Sequence, residues 1–101
     1  MPKPRIDIPR EQIEAFCRKW KIREFSLFGS VLRDDFRPDS DVDVLVSFAD
    51  EAEWDLFDLV SIRDDLAAML GREVDLVEKE GLRNPYRRSN ILKTREIIYA
   101  A

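Results

Sequence analysis

The chain has 101 residues, 45% of them apolar, and a net charge of −4. This supports one modest core but not two. No apolar run approaches the ~20 residues of a membrane span, and the only cysteine, Cys17, excludes an intramolecular disulfide. Histidine is absent. That removes the usual zinc sites, the Ser-His triad and a histidine general base together. Any metal site must then be built from oxygen ligands, which suit Mg²⁺, Mn²⁺ or Ca²⁺. The opening "MPKPRIDIPREQ" lacks the apolar core of a signal peptide, so the expected location is cytoplasmic.

In chain order, Pro9 suits the first turn of a helix. Ile13, Phe16, Cys17 and Trp20 follow at i, i+3, i+4 and i+7, one helical stripe. "REFSLFGS" reads as a strand stopped by Gly29. Residues 30–35 read as a helical turn and "RPDS" as a turn by composition. "DVDVLVSF" is the second strand. A longer helix is expected from about Glu53 to Leu70, with Leu56, Leu59, Ile62, Leu66, Met69 and Leu70 on its stripe. Trp54, Phe57 and Val60 fall off that stripe and imply a wide buried face or, alternatively, a partner-binding surface. Gly71 stops the helix, "REVDLVE" is the third strand, and the segment from Pro85 is mainly helical with an extended end at Glu96–Ala100. The expected fold is α/β (α+β): one small mixed sheet of three to four strands, helices packed mainly on one face, and a single domain over residues 1–101.

The second strand holds an anomaly. Strands usually exclude Asp, yet Asp41 and Asp43 stand in this one. Period-two alternation puts Asp41, Asp43 and Leu45 on one face and Val42, Val44, Val46 and Phe48 on the other, better core face. The two carboxylates then point the same way, about 7 Å apart, and repel unless one is protonated or a cation binds both. Asp75 occupies "VDLV" in the third strand. If that strand neighbours the second, three carboxylates gather and can hold two metals about 4 Å apart, the arrangement used for in-line phosphoryl transfer. Gly29 allows close approach of backbone to a ligand. Ser30 opens a helical turn whose free N–H groups attract phosphate, and Arg33 can add charge-assisted hydrogen bonds. Together these residues describe a nucleoside triphosphate site. Residues 81–101 set five cations (Arg83, Arg87, Arg88, Lys93, Arg95) against Glu96 alone. This basic segment faces phosphates, an acidic partner or solvent.

Gly29-Ser30, ten intervening residues and then Asp41-x-Asp43 resemble the signature of the DNA polymerase β-like nucleotidyltransferase superfamily. With "LFGSVLRDDFRPDSDVDVLV", "LAAMLGREVDLVEKEGLR" and the basic tail, nearly the whole chain resembles its minimal nucleotidyltransferase (MNT) branch, the MntA-like antitoxins of HEPN/MNT pairs. The resemblance implies a minimal polymerase β-type fold, with Gly29, Ser30, Arg33 and Ser40 binding nucleotide. It implies that Asp41, Asp43 and Asp75 bind two Mg²⁺ (or Mn²⁺) and act in catalysis, with ATP as co-substrate. It further implies an AMP transfer to a tyrosine or other hydroxyl of a HEPN ribonuclease toxin, which the chain thereby neutralises, alone as an oligomer or joined to the toxin. No membrane and no direct nucleic-acid binding is expected. The alternatives are a non-catalytic antitoxin that neutralises by binding, and a small-molecule nucleotidyltransferase acting as a dimer. Two positions depart from the family's pattern: Leu32, where a small residue is usual, and Asp34, where glycine is usual and an added negative charge would stand near the triphosphate.

Overall fold

A computed structural model describes residues 6, 8–33, 37 and 39–101; Asp34, and with it the expected departure at that position, lies outside them. Helix α1 spans Arg10–Lys19 and buries Ile13, Phe16 and Cys17. Pro9 sits one position before the helix rather than in its first turn, and its carbonyl accepts the Ile13 N–H at 2.9 Å. Strand β1 (Ile22–Phe28) runs into a short 3₁₀ turn, Gly29–Leu32, where Val31 and Leu32 are buried. Strand β2 (Val42–Phe48), helix α2 (Leu56–Leu70), strand β3 (Val74–Glu78), helix α3 (Pro85–Thr94) and strand β4 (Glu96–Ala100) complete the order. The expected extended end is thus a true strand over the same residues.

The four strands form one mixed sheet in the order β3-β2-β1-β4. β1 pairs antiparallel with both β2 and β4, while β2 and β3 pair in parallel, the arrangement that requires a crossover such as α2. β1 and β2 are internal, and both are largely buried along their length. Val42, Val44 and Val46 join Phe25 and Leu27 under α1 and α2, against Ile13, Phe16, Ile62 and Leu66. The opposite face carries a smaller cluster in which Phe28 and Leu45 meet Leu82, which precedes α3, and Ile91 of α3. Two of the three helices therefore share one face, and α3 alone covers the face that Asp43 shares with Leu45. No helix among the described residues is long and apolar enough to cross a membrane.

The ends of α2 show why it sits where it does. Asp55 caps its start: the Asp58 N–H donates to Asp55 Oδ1 at 2.8 Å and the Asp55 N–H to Asp58 Oδ2 at 3.1 Å, a reciprocal capping box. The helix begins there rather than at Glu53. Trp54 precedes it, donating its indole N–H to the Trp20 carbonyl at 2.8 Å and stacking edge-on against the Trp20 ring. Gly71 ends the helix in left-handed geometry with φ 67°. The expected wide buried face is absent. Leu56 is 73% exposed, Phe57 81% and Val60 38%, so burial is confined to Ile62 and Leu66 and partly to Leu59, Met69 and Leu70. The cause is the strand order. β3 is an edge strand, and the side of α2 above it has no further strand to pack on.

One carboxylate ties the last third of the chain to the centre. Glu24 on β1 accepts from Lys79 Nζ at 3.0 Å and Arg95 Nη1 at 3.2 Å. The Lys79 hydrogen bond, aided by Arg95, holds the Glu24 carboxyl below its ordinary value despite its partial burial. A carboxylate lowered in the folded state contributes stability above its unfolded pKa and loses it as the pH falls through the folded one. Glu24→Gln is therefore expected to destabilise by on the order of 1 kcal/mol at about pH 7. The gap to wild type should narrow at about pH 3, below the ordinary glutamate value, as the folded-state carboxyl begins to take up its proton. Urea unfolding at the two pH values checks this; a gap of equal size at both would show that the pairs contribute nothing.

Candidate active site

β1 delivers the site's first element. The chain leaves Phe28 in extended geometry and turns at Gly29 with φ +75°, a conformation that L side chains seldom adopt. Phe28 is paired with Asp43 across the β1–β2 ladder, which brings the Asp43 side chain against the Gly29 Cα. A Cβ built on Gly29 would overlap Asp43 Oδ2 and stand 3.3 Å from its Cγ. The sequence suggested that this glycine makes room for a ligand; the structure shows that it first makes room for Asp43. Ser30 follows, half-buried, and its carbonyl accepts the Arg33 N–H at 2.9 Å. That bond closes the turn and leaves Arg33 exposed at its end.

β2 and β3 bring the carboxylates together. Their parallel register pairs Asp43 directly with Asp75, which meets the condition set by the sequence that the third strand neighbour the second. Asp41 precedes β2 and is exposed, as is Asp75, whereas Asp43 is half-buried. Burial raises the Asp43 carboxyl above its ordinary value, and the negative charges of Asp75 and then Asp41 add to this. Arg33 and Arg87 act the other way. Ser40 sits in a turn: the Arg37 N–H donates to its hydroxyl at 3.1 Å, and its own N–H donates to the Arg37 carbonyl at 3.0 Å. Ser40 thus stands immediately before Asp41 in the chain, with its hydroxyl engaged by the turn.

The donor set has the chemistry for a hard divalent cation. It offers only carboxylate oxygens, and Asp43 is burdened by two like charges that a cation would offset. Asp43 and Asp75 stand on neighbouring strands, about 4.8 Å apart, close enough to share one ion. Among the described residues no three acidic, histidine or cysteine side chains form a ready-made metal group. Arg87 was not singled out as a site residue by sequence. Its only signal there was membership of the basic segment, and its effect on Asp43 emerges once α3 is seen to cover the same sheet face.

Two outcomes follow for folding without metal. Gly29→Ala forces a Cβ into left-handed geometry and displaces Asp43, so a loss of about 1–2 kcal/mol is expected in chemical denaturation; unchanged stability would contradict the contact with Asp43. For Asp43 the sign is opposite to that of Glu24. Its folded pKa is raised, so its contribution to stability falls as the pH rises from the unfolded carboxylate range through the folded value. Asp43→Asn should therefore raise the melting temperature of the metal-free protein at neutral pH. It should also reduce the further rise that Mg²⁺ produces by binding the native state. A lower melting temperature in the variant would show that the charge is not a burden.

A comparison with known proteins agrees with this geometry. The nucleotidyltransferase domain family model matches residues 9–98. Protein adenylyltransferase MntA of Thermococcus cleftensis is 40% identical over 83 residues, 80% of this chain and 77% of that protein. Among solved structures, a chain of a toxin–antitoxin complex with AMP-PNP superposes with a TM-score of 0.74 at 22% identity, over 93% of this chain and 75% of the other. A chain from the complex of a tri-AMPylated Shewanella oneidensis HEPN toxin with its MNT antitoxin gives 0.66 at 22% identity, over 91% and 70%. The two structural matches establish the shared fold, and the sequence matches establish the kinship: the chain belongs to the nucleotidyltransferase domain family.

Proposed function

We propose that this chain is a cytoplasmic antitoxin of the MNT type that transfers AMP from ATP to a tyrosine or other hydroxyl of a cognate HEPN ribonuclease toxin, and that residues 1–101 act as one domain. The observation that carries the reading is the Gly29–Asp43–Asp75 juxtaposition in a chain 40% identical to a protein adenylyltransferase. The AMP-PNP complex supports a nucleotide ligand, and the AMPylated HEPN toxin bound to an MNT antitoxin supports the acceptor. The exposed Leu56, Phe57 and Val60 of α2 support a protein partner, since exposed apolar patches mark interaction surfaces.

In this reading the Gly29 backbone and Ser30 hold the β- and γ-phosphates, Arg33 offsets their charge, and Ser40 lies at the approach to Asp41. Asp41, Asp43 and Asp75 hold Mg²⁺, which when bound supplies charge neutralisation at the phosphates. The acceptor hydroxyl oxygen attacks the α-phosphorus, the bond to the bridging oxygen of the β-phosphate breaks, and pyrophosphate leaves. Asp75, an exposed carboxylate on the edge strand, orients the hydroxyl and takes its proton.

Turnover distinguishes modification from simple masking. The partner toxin is incubated with a substoichiometric amount of this protein, ATP and Mg²⁺, then separated from it. The toxin is expected to gain the mass of one or more AMP groups and to stay unable to cleave RNA. An unmodified toxin that regains full activity, with an Asp41→Asn, Asp43→Asn double variant protecting as well as wild type, would instead identify an antitoxin that works by covering its target.

A further inference from the structure

The structure divides the basic segment of the sequence into different tasks. Arg88 donates to the Lys79 carbonyl at 2.7 Å, and Arg95 is paired with Glu24. Arg83 and Lys93 are exposed. Arg87 differs from all four. It lines a cavity of about 450 Å³ between the 3₁₀ turn and α3, within the range of ligand pockets.

The lining of this cavity is mixed: Phe28, Leu32 and Ile91 are apolar, while Arg33 at the end of the turn and Arg87 on α3 bring charge. Two arginines, contributed by separate elements, therefore line one space that also borders Gly29. Two arginines in such an arrangement favour a multiply charged oxyanion, because each planar guanidinium can bind two phosphate oxygens side by side. α3 is also firmly placed. Asn84 caps it by accepting from the Tyr86 and Arg87 N–H groups at 3.0 and 3.1 Å, and Ile91 anchors it against Phe28 and Leu45. Arg87 is thus presented from a fixed helix rather than from a loop.

We propose that Arg87 is a second phosphate-binding arginine, closing the cavity opposite Arg33 on the β- and γ-phosphates of the nucleotide and on the pyrophosphate that leaves. This deepens the nucleotidyltransferase reading and rests on it for the identity of the anion's source. The role is binding and leaving-group stabilisation: negative charge that accumulates on the departing pyrophosphate meets a positive group already in position. No proton passes through Arg87, which stays charged throughout.

The test is calorimetric titration of the intact protein with ATP, AMP and inorganic tripolyphosphate, each with Mg²⁺, for wild type, Arg87→Ala, Arg87→Lys and Lys93→Ala. Arg87→Ala should bind ATP and tripolyphosphate about 10- to 100-fold more weakly, the span for losing hydrogen bonds to a charged group, and AMP about as well as wild type does. Arg87→Lys should recover part of the loss, which also guards against a folding defect in the alanine variant. Lys93→Ala, which removes the same charge from the exposed helix face, should bind like wild type. Equal losses for AMP and ATP, no loss in Arg87→Ala, or an equal loss in Lys93→Ala would each overturn the proposal. Wild type that binds tripolyphosphate through Arg87 but not ATP would leave the anion site standing and remove the ATP reading. Wild type that binds neither would remove both.

Discussion

A carboxylate held where it is poorly tolerated is the constraint that the rest of the structure serves. Asp43 is half-buried, pressed against the Cα of Gly29 and paired in register with Asp75. Each neighbour is fixed by a different level of the fold. Gly29 can be so close only because it lacks a Cβ and accepts φ +75°. Asp75 is in register only because β3 returns parallel to β2 after α2. A slip of one residue in that pairing would turn Asp75 to the opposite face of the sheet. The capping box at Asp55 and the Gly71 stop fix where α2 begins and ends, and so help to set where the returning strand can start.

Much of this could be read from the residues. Alternation in "DVDVLVSF" separated Asp43 from the valine face, and the structure places the three valines under α1 and α2 and Leu45 under α3. The helix stop at Gly71 and the late strand at Glu96–Ala100 were also visible, because glycine geometry and a short apolar run with a β-branched pair are local signals. What was not visible depended on strand order. The stripe on α2 is helical by period, but period cannot tell that β3 lies at the sheet's edge. Leu56 consequently read as core, and Phe57 and Val60 as either a wider buried face or a partner surface; all three are exposed. The reason for Gly29 was half legible. A glycine before serine suggested room for a ligand, whereas the contact with Asp43 depends on a cross-strand pair fifteen residues away in sequence. Arg87 was hidden for a related reason: nothing local to "NPYRRSN" says which arginine faces the sheet.

Charge is distributed in the same spirit. The acidic part of the chain concentrates repulsion at the ends of β2 and β3, and the basic part folds back over that face on α3. Arg33 and Arg87 both ease the ionisation of Asp43, so the two cations proposed to meet phosphate also make that carboxylate less costly to keep charged. The shared fold supplies the sheet, and the side chains at the ends of its strands are the ones the proposed chemistry uses.

The position of Asp75 on an outer strand has a second consequence. β3 presents an open row of backbone donors and acceptors, flanked by a groove in which Leu56, Leu59, Val60 and Leu76 are joined by Arg63, Asp75 and Glu78. Such an edge invites pairing with another chain, and natural proteins blunt it with charges and short length. Here the strand is five residues long and carries Asp75 and Glu78, both exposed. Asp75, proposed above for chemistry, therefore also puts a charge on the open edge, so an Asp75→Asn substitution made to test that role also leaves the edge less guarded against pairing with another chain.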